Sequence, residues 1–228
     1  MGKNKLVRFA ENATFQHVVQ PPFKELVSGR FPLRGAWSAV HFKREAPLVL
    51  ELGCGKGEYT IGLARLHPGM DHVGVDIKGS RIWRGAVTAK EEGLSNVAFL
   101  RTHVDHIEHC FAPGEVSEIW LTFSDPQLGK PRKRLTSPLF VDRYRNILRP
   151  GGTVNLKTDS PDLYAYTLEQ VEEHGHTLLE SSDDVHGELM GRISPEMQAI
   201  LAIRTFYEAR WLKEGRKIHY ARFTLAGN

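Results

Sequence analysis

A chain of 228 residues, 41% hydrophobic and 25% charged, has the balance of a globular protein and the length for one sizeable α/β domain. No apolar run approaches the ~18 residues of a membrane span. The N-terminal MGKNKLVRFAENATFQ lacks the apolar stretch of a signal peptide, and two cysteines, Cys54 and Cys110, make neither a disulfide framework nor a zinc cluster. These features predict a reducing, cytoplasmic setting. The formal net charge of +3 says less than its distribution: Lys130, Arg132, Lys133 and Arg134 fall within five positions, and Lys3, Lys5 and Arg8 within six. Such a cluster is either a solvated face or a phosphate footprint.

Residues 1–20 are polar with scattered apolar positions and read as an arm or surface strap. Residues 21–46 carry Pro21, Pro22, Gly29, Pro32 and Gly35 and read as an irregular lead-in with a helical turn or two. From residue 47 the pattern becomes regular. Residues 47–51 and 72–76 are short apolar strands, 58–67 and 80–92 amphipathic helices, and 97–100 a third strand. A fourth strand covers 119–123, a helix 137–148, a fifth strand 153–156, and a helix 161–173 opens on Pro161. Residues 176–181 and 217–225 read as extended. Strands alternating with helices predict βαβ units, hence an α/β parallel sheet with helices on both faces and 47–228 as its domain. Ligands of such sheets bind beyond the carboxyl ends of the strands. Glu51, Asp76, the 101–105 segment, Asp125 and Asp159 all fall there.

The first strand runs into Glu51-Leu-Gly-Cys-Gly-Lys-Gly57, where glycines let the backbone turn and a ligand approach. A dinucleotide fingerprint would place its third glycine at position 58, which is Glu58. Glu51 beside the loop would repel a pyrophosphate and suits an ammonium or sulfonium. Asp76 ends the second strand, 25 residues on, where an acid accepts from ribose hydroxyls. Further on, Asp125 closes the fourth strand and Pro126 sets the turn. Four cations follow within ten residues. The acid can meet the donors of a base while the cations hold phosphates. Alternative readings of the same residues are a solvated loop at 130–134, a turn-capping Asp125, and an ordinary capping box at Thr205 and Glu208. The eleven histidines form no ligand constellation. Trp37, Trp83, Trp120 and Trp211 read as packing, with Tyr164 or one of them available to stack on a base.

The 51–57 loop and Gly74-Val-Asp76 resemble the first two motifs of class I S-adenosylmethionine-dependent methyltransferases. That resemblance implies a doubly wound, mostly parallel, Rossmann-like seven-stranded sheet with its last strand antiparallel. It implies S-adenosylmethionine with its methionine moiety over Gly53 and Gly55, its ribose on Asp76 and its adenine near His103, Val104 and Asp105. The segment Phe123-Ser-Asp-Pro-Gln-Leu-Gly-Lys-Pro-Arg-Lys-Arg134 resembles the FPDPWPKKRHxKRR signature of the TrmB family of tRNA (guanine-N7)-methyltransferases, with Ser124 for proline and Gln127 for tryptophan. Lys157-Thr-Asp159 and Thr205-Phe-Tyr-Glu208 resemble two further elements of that family.

The family resemblance implies methyl transfer to N7 of a guanine in tRNA, at position 46 of the variable loop. It makes Asp125 the catalytic residue and a cofactor contact, 125–136 an RNA-contacting insert, and Lys130, Arg132, Lys133, Arg134, Asp159, Thr205 and Glu208 substrate contacts. The N7 lone pair lies in the ring plane and is available at neutral pH, so alignment is the main task. No metal and no covalent intermediate are expected, and either a monomer or a homodimer is compatible. Two other readings keep the fold: a methyltransferase for another RNA or a protein, or an RNA-binding protein with a vestigial cofactor pocket.

Overall fold

A computed structural model describes residues 2–227, with side chains from residue 5 onward. Eight strands form one sheet in the order β1-β4-β3-β2-β5-β6-β8-β7. They are β1 Val18–Val19, β2 Leu48–Leu52, β3 Asp71–Val75, β4 Val97–Leu100, β5 Val116–Thr122, β6 Leu148–Thr158, β7 Thr177–Ser182 and β8 His219–Thr224. Pairings from β1 through β6 are parallel, and β8 runs antiparallel between β6 and β7. The doubly wound, mostly parallel sheet with an antiparallel last strand is therefore present, with one strand more than the seven expected. The addition is β1, two residues from the N-terminal segment. It pairs Val18 with Phe99 and Val19 with Leu100.

Alternation along the strands sorts two cores. Leu48, Leu50 and Leu52, with Val73, Val75, Ala98 and Leu100, point to one face. There they meet helices α6 (Pro138–Ile147) and α7 (Pro161–Glu173) and the short α5 (Ile107–Cys110). Val49 and Trp120 point to the other face, as do Val97 and Phe99. Helices α3 (Glu58–Leu66) and α4 (Gly79–Glu91) cover that side. Both faces are sealed, as a parallel sheet requires.

The segment before residue 47 is more ordered than its composition suggests. Helix α1 (Gly2–Asn12) lies on α4, where Asn12 donates to the Gly79 carbonyl at 2.7 Å, Trp83 donates to the Glu11 carboxylate, and the Arg8 guanidinium covers the Trp83 ring at 4.6 Å. Lys3 belongs to α1, but its side chain lies outside those described. After α2 (Phe23–Val27), a π-helical turn at Trp37–Phe42 buries Trp37 completely. The Trp37 indole N–H donates to the Cys110 carbonyl at 3.0 Å, and its ring stacks on Phe111 at 5.3 Å. Trp37 and Trp120 are packing residues, as expected. Two short helices, α8 (Pro195–Leu201) and α9 (Phe206–Lys213), fill the connection between β7 and β8.

Candidate active site

The glycine loop leaves β2 at the carboxyl edge. Gly53 and Cys54 both donate to the Val75 carbonyl, at 2.8 and 3.0 Å, which folds the loop back against β3. Gly57 has φ +71°, and a Cβ there would lie 2.5 Å from the Phe99 ring, so this glycine is demanded by packing. Gly55, at φ +56°, is different: a Cβ there would meet nothing within 4 Å. The loop is closed on its Gly57 side and open over Gly55.

A cleft of about 630 Å³ opens beside the loop at Gly53. Gly53, Asp76, the 102–105 segment, Asp125 and Arg132 line it, and so do the apolar Val104, Leu135 and Phe140. Four of the five strand ends that the sequence suggested converge here; Asp159, at the end of β6, does not line the cleft. Asp76 is buried and accepts from the Gly55 N–H at 3.0 Å and the Lys78 N–H at 2.7 Å. A carboxylate has about four lone-pair sites, so capacity remains for hydroxyls above it. His103 and Asp105 are exposed, and Val104 is half-buried between them. An open glycine loop, an acid with spare lone pairs and an apolar wall fit a nucleoside carrying a cationic tail.

Glu51 is not on this cleft. Its parity in β2 turns it toward α3, and it is almost fully buried. One oxygen accepts from both the backbone N–H (2.8 Å) and the hydroxyl of Thr60; the other accepts from the Thr122 hydroxyl. Burial raises its pKa to about 7 against these hydrogen bonds. Glu51 anchors the start of α3 beneath the loop.

Asp125 is exposed at the rim, and its Oδ1 accepts from the Gln127 N–H at 2.9 Å. The turn-capping reading of Asp125 is therefore realised, and the second oxygen remains available. Phe123 and Gln127, on either side, both have positive φ, at 50° and 46°. Non-glycine residues in that region store strain, which clusters at functional turns. The four cations do not act alike. Lys130, Arg132 and Lys133 are exposed, and the last two line the cleft. Arg134 turns inward: its Nε donates to the Pro126 carbonyl at 2.9 Å, and its guanidinium lies 4.4 Å from the Tyr166 ring centre. It braces the Asp125 turn from behind.

The remaining positions gather beside the cleft, at the end of β6. Lys157 is wholly buried and donates to Glu208 at 2.9 Å and to the carbonyls of Leu201 (2.8 Å) and Ile203 (3.0 Å). Burial pulls its pKa down, with Glu208 opposing. Glu208 is equally buried and also meets His186 Nε2 at 3.1 Å. Thr205 caps α9, accepting from the Glu208 N–H at 3.1 Å. The capping reading of this pair is half realised, because the Glu208 side chain goes to Lys157 instead. Asp159 is half-buried, which raises its pKa, and meets Arg216 at 3.4 Å. The Phe123 ring joins the two groups: it lines the cleft, packs on Trp211 at 5.1 Å and lies under the Lys157 ammonium at 5.7 Å. The sequence placed Phe123 at the end of the fourth strand without a role of its own, and Trp211 packs here, as expected. Tyr164 stacks on His219 at 5.1 Å.

Among solved structures, the 16S rRNA methyltransferase KamB shares the fold, with a TM-score of 0.60 at 18% identity over 78% of this chain and 87% of that one. A doubly wound sheet whose glycine loop and second-strand acid share one cleft defines a class I S-adenosylmethionine-dependent methyltransferase. A family model described as "Putative methyltransferase" matches residues 45–221. The chain is 48% identical to a tRNA (guanine-N(7)-)-methyltransferase of Christiangramia forsetii, over 98% of each chain. It is 49% identical to the protein of that name in Porphyromonas gingivalis, over 93% of this chain and 86% of that one. The chain belongs to the tRNA (guanine-N7)-methyltransferase family.

Proposed function

We propose that this protein transfers a methyl group from S-adenosylmethionine to N7 of a guanine in tRNA, at position 46 of the variable loop as the family implies. The observation that carries the reading is one rim: Asp125 stands exposed on the same cleft as Gly53, Arg132 and Lys133. S-adenosylmethionine, when bound, supplies the electrophilic methyl group. Gly53 and Gly55 carry its methionine moiety, Asp76 holds the ribose hydroxyls, and the Val104 backbone meets the adenine between His103 and Asp105. With Glu51 turned away, Asp125 is the carboxylate placed for the ammonium or for the donor edge of guanine. Charge developing on the ring during attack makes its N1–H more acidic, which strengthens a hydrogen bond to Asp125. Asp159 and Thr205 approach the base from the β6 side. Lys130, Arg132 and Lys133 hold flanking phosphates in the 125–136 insert. Arg134 and Glu208 position these groups from inside.

In this reading residues 47–228 are the catalytic domain, and 1–46 brace its sheet. It is a cytoplasmic enzyme needing no metal, monomeric or homodimeric. Among the described residues no helix is long and apolar enough to cross a membrane, and no cluster of histidine, cysteine and acidic residues could hold a metal ion. The deciding experiment incubates purified protein with radiolabelled S-adenosylmethionine and unmodified tRNA transcripts, then digests the RNA. 7-Methylguanosine is expected. Another methylated nucleoside, or none despite cofactor binding, overturns the substrate assignment.

A further inference from the structure

A second cleft, of about 520 Å³, opens on the far side of the glycine loop. Its floor is α3 and α4, and its third wall is the 202–204 segment between α8 and α9. That wall is fixed by packing. Ile203 sits so close to α3 that a Cβ on Gly62 would lie 2.5 Å from it, and Lys157 holds the Ile203 carbonyl. Arg204 is thereby set on the rim.

Lys56, Arg65, Arg84 and Arg204 all line this groove, against one carboxylate, Glu58. Glu58 is already engaged, accepting from the Phe206 N–H at 3.1 Å. Arg65 is neutralised by Glu92 at 2.5 Å. Lys56, Arg84 and Arg204 have no acidic partner among the described residues, whereas Arg143, Arg145, Arg192 and Arg210 elsewhere on the surface are each met by a carboxylate. The Lys56 ammonium rests 4.5 Å from the centre of the Phe206 ring, itself 60% exposed. Unpaired like charges gathered in a concave site repel one another, and an anion relieves that cost.

The groove continues the proposed RNA-facing rim. Arg81 lines the cofactor cleft and Arg84 the groove. They are three residues apart on α4, hence neighbours on one helix face. Cations thus run from Arg132 and Lys133 through Arg81 to Arg84, Lys56 and Arg204. A track of separated positive charges with few acids suits a sugar–phosphate chain, for which each cation replaces a condensed counterion.

We propose that this groove is a second phosphate subsite, which takes the backbone of the RNA substrate at a distance from the nucleotide being methylated. The inference rests on the RNA reading of the first cleft. Its test is equilibrium binding of an unmodified tRNA transcript to the full chain at several salt concentrations, for wild type and the double variant Arg84→Gln/Arg204→Gln. S-adenosylmethionine affinity, measured by calorimetry, reports that the variant is folded. The double variant should bind tRNA about tenfold more weakly, and its slope of log affinity against log salt should be shallower by about two. A control variant, Arg30→Gln/Lys43→Gln, removes two exposed cations outside the groove and should change neither. An unchanged slope in the groove variant, or an equal loss in the control, overturns the subsite. Wild-type protein that binds tRNA normally but makes no 7-methylguanosine overturns the reaction and leaves the subsite readable from the slopes. Wild-type protein that binds no tRNA overturns both.

Discussion

The Lys157 ammonium and the Glu208 carboxylate, 51 residues apart in sequence, meet at 2.8 Å with both side chains fully buried. The pair ties α9 to the end of β6, and the same ammonium holds the two carbonyls that close α8. Removing one member strands the other in the interior, which costs about 3–5 kcal/mol. Glu208→Leu and Lys157→Met should each lower unfolding free energy by that order in urea titrations. The double variant should recover much of the loss, since a well-packed apolar pair often replaces a buried ion pair without penalty. A double variant as unstable as the sum of the singles would show that the two act separately.

Asp76 and Asp125 line one cleft but should fail differently. Asp76 is buried against the glycine loop and Asp125 is exposed at the rim. Asp76→Ala should weaken S-adenosylmethionine binding, measured by calorimetry, by about ten- to a hundredfold, the worth of one or two charge-assisted hydrogen bonds. Asp125→Ala should lose much more turnover than cofactor affinity in single-turnover assays. Equal losses in both measurements would remove its special role.

Two buried titratable groups on the α3 side oppose each other in pH. Burial raises Glu51 to about 7, so the native state holds a proton that the unfolded state releases above about 4.5, and stability falls as pH rises between those values. Burial lowers His72 to about 3, so the unfolded state takes up a proton below about 6.5 that the native state refuses, and stability rises with pH through that window. Between about pH 4.5 and 6.5 the two slopes offset one another. Glu51→Gln should unmask the rise, altering the change in unfolding free energy from pH 4.5 to 7 by about 3 kcal/mol relative to wild type. Thermal unfolding across that range measures it. Parallel wild-type and variant curves would place the Glu51 pKa at its ordinary value.

The two ends of the glycine loop should also separate. Gly57→Ala drives a methyl into the Phe99 ring in a left-handed conformation, and should destabilise the fold by about 2–4 kcal/mol. Gly55→Ala has room and bears the conformational strain alone, about 1–2 kcal/mol. Its methyl would stand in open space over the loop, where the methionine moiety is proposed to lie, so its larger effect should be on cofactor affinity. Denaturation and calorimetry on both variants read the contrast. A Gly55→Ala protein with normal cofactor affinity would move the ligand off that part of the loop.

Most of the sheet was legible because its signals are local. Helix α7 and strand β4 carry the predicted bounds, and β2 and β3 differ from theirs by one residue at each end. The misses share a physical cause. Strand β1 is two residues long, shorter than any periodicity. Helix α1 is fixed by Asn12, Glu11 and Arg8 reaching α4, partners that lie some seventy residues away. At the site, the glycine loop, Asp76 and Asp125 were readable from motif and position. The orientation of Glu51 was not, because its hydroxyl partners Thr60 and Thr122 come from two other elements. Nor could spacing tell that Arg134, alone of four clustered cations, turns back to the Pro126 carbonyl.

Strand β1 also covers an edge of the sheet. Its neighbour β4 is buried on both faces and would otherwise offer an open row of backbone groups. The Phe99 and Arg101 N–H groups are instead taken by the His17 and Val19 carbonyls, at 2.7 and 2.9 Å. On this side of the sheet the edge that remains is two residues long, too short to template a strand from another molecule. The N-terminal segment thereby serves colloidal stability: deleting residues 1–20 should leave a chain that clumps, through newly bare backbone, before it loses its catalytic cleft.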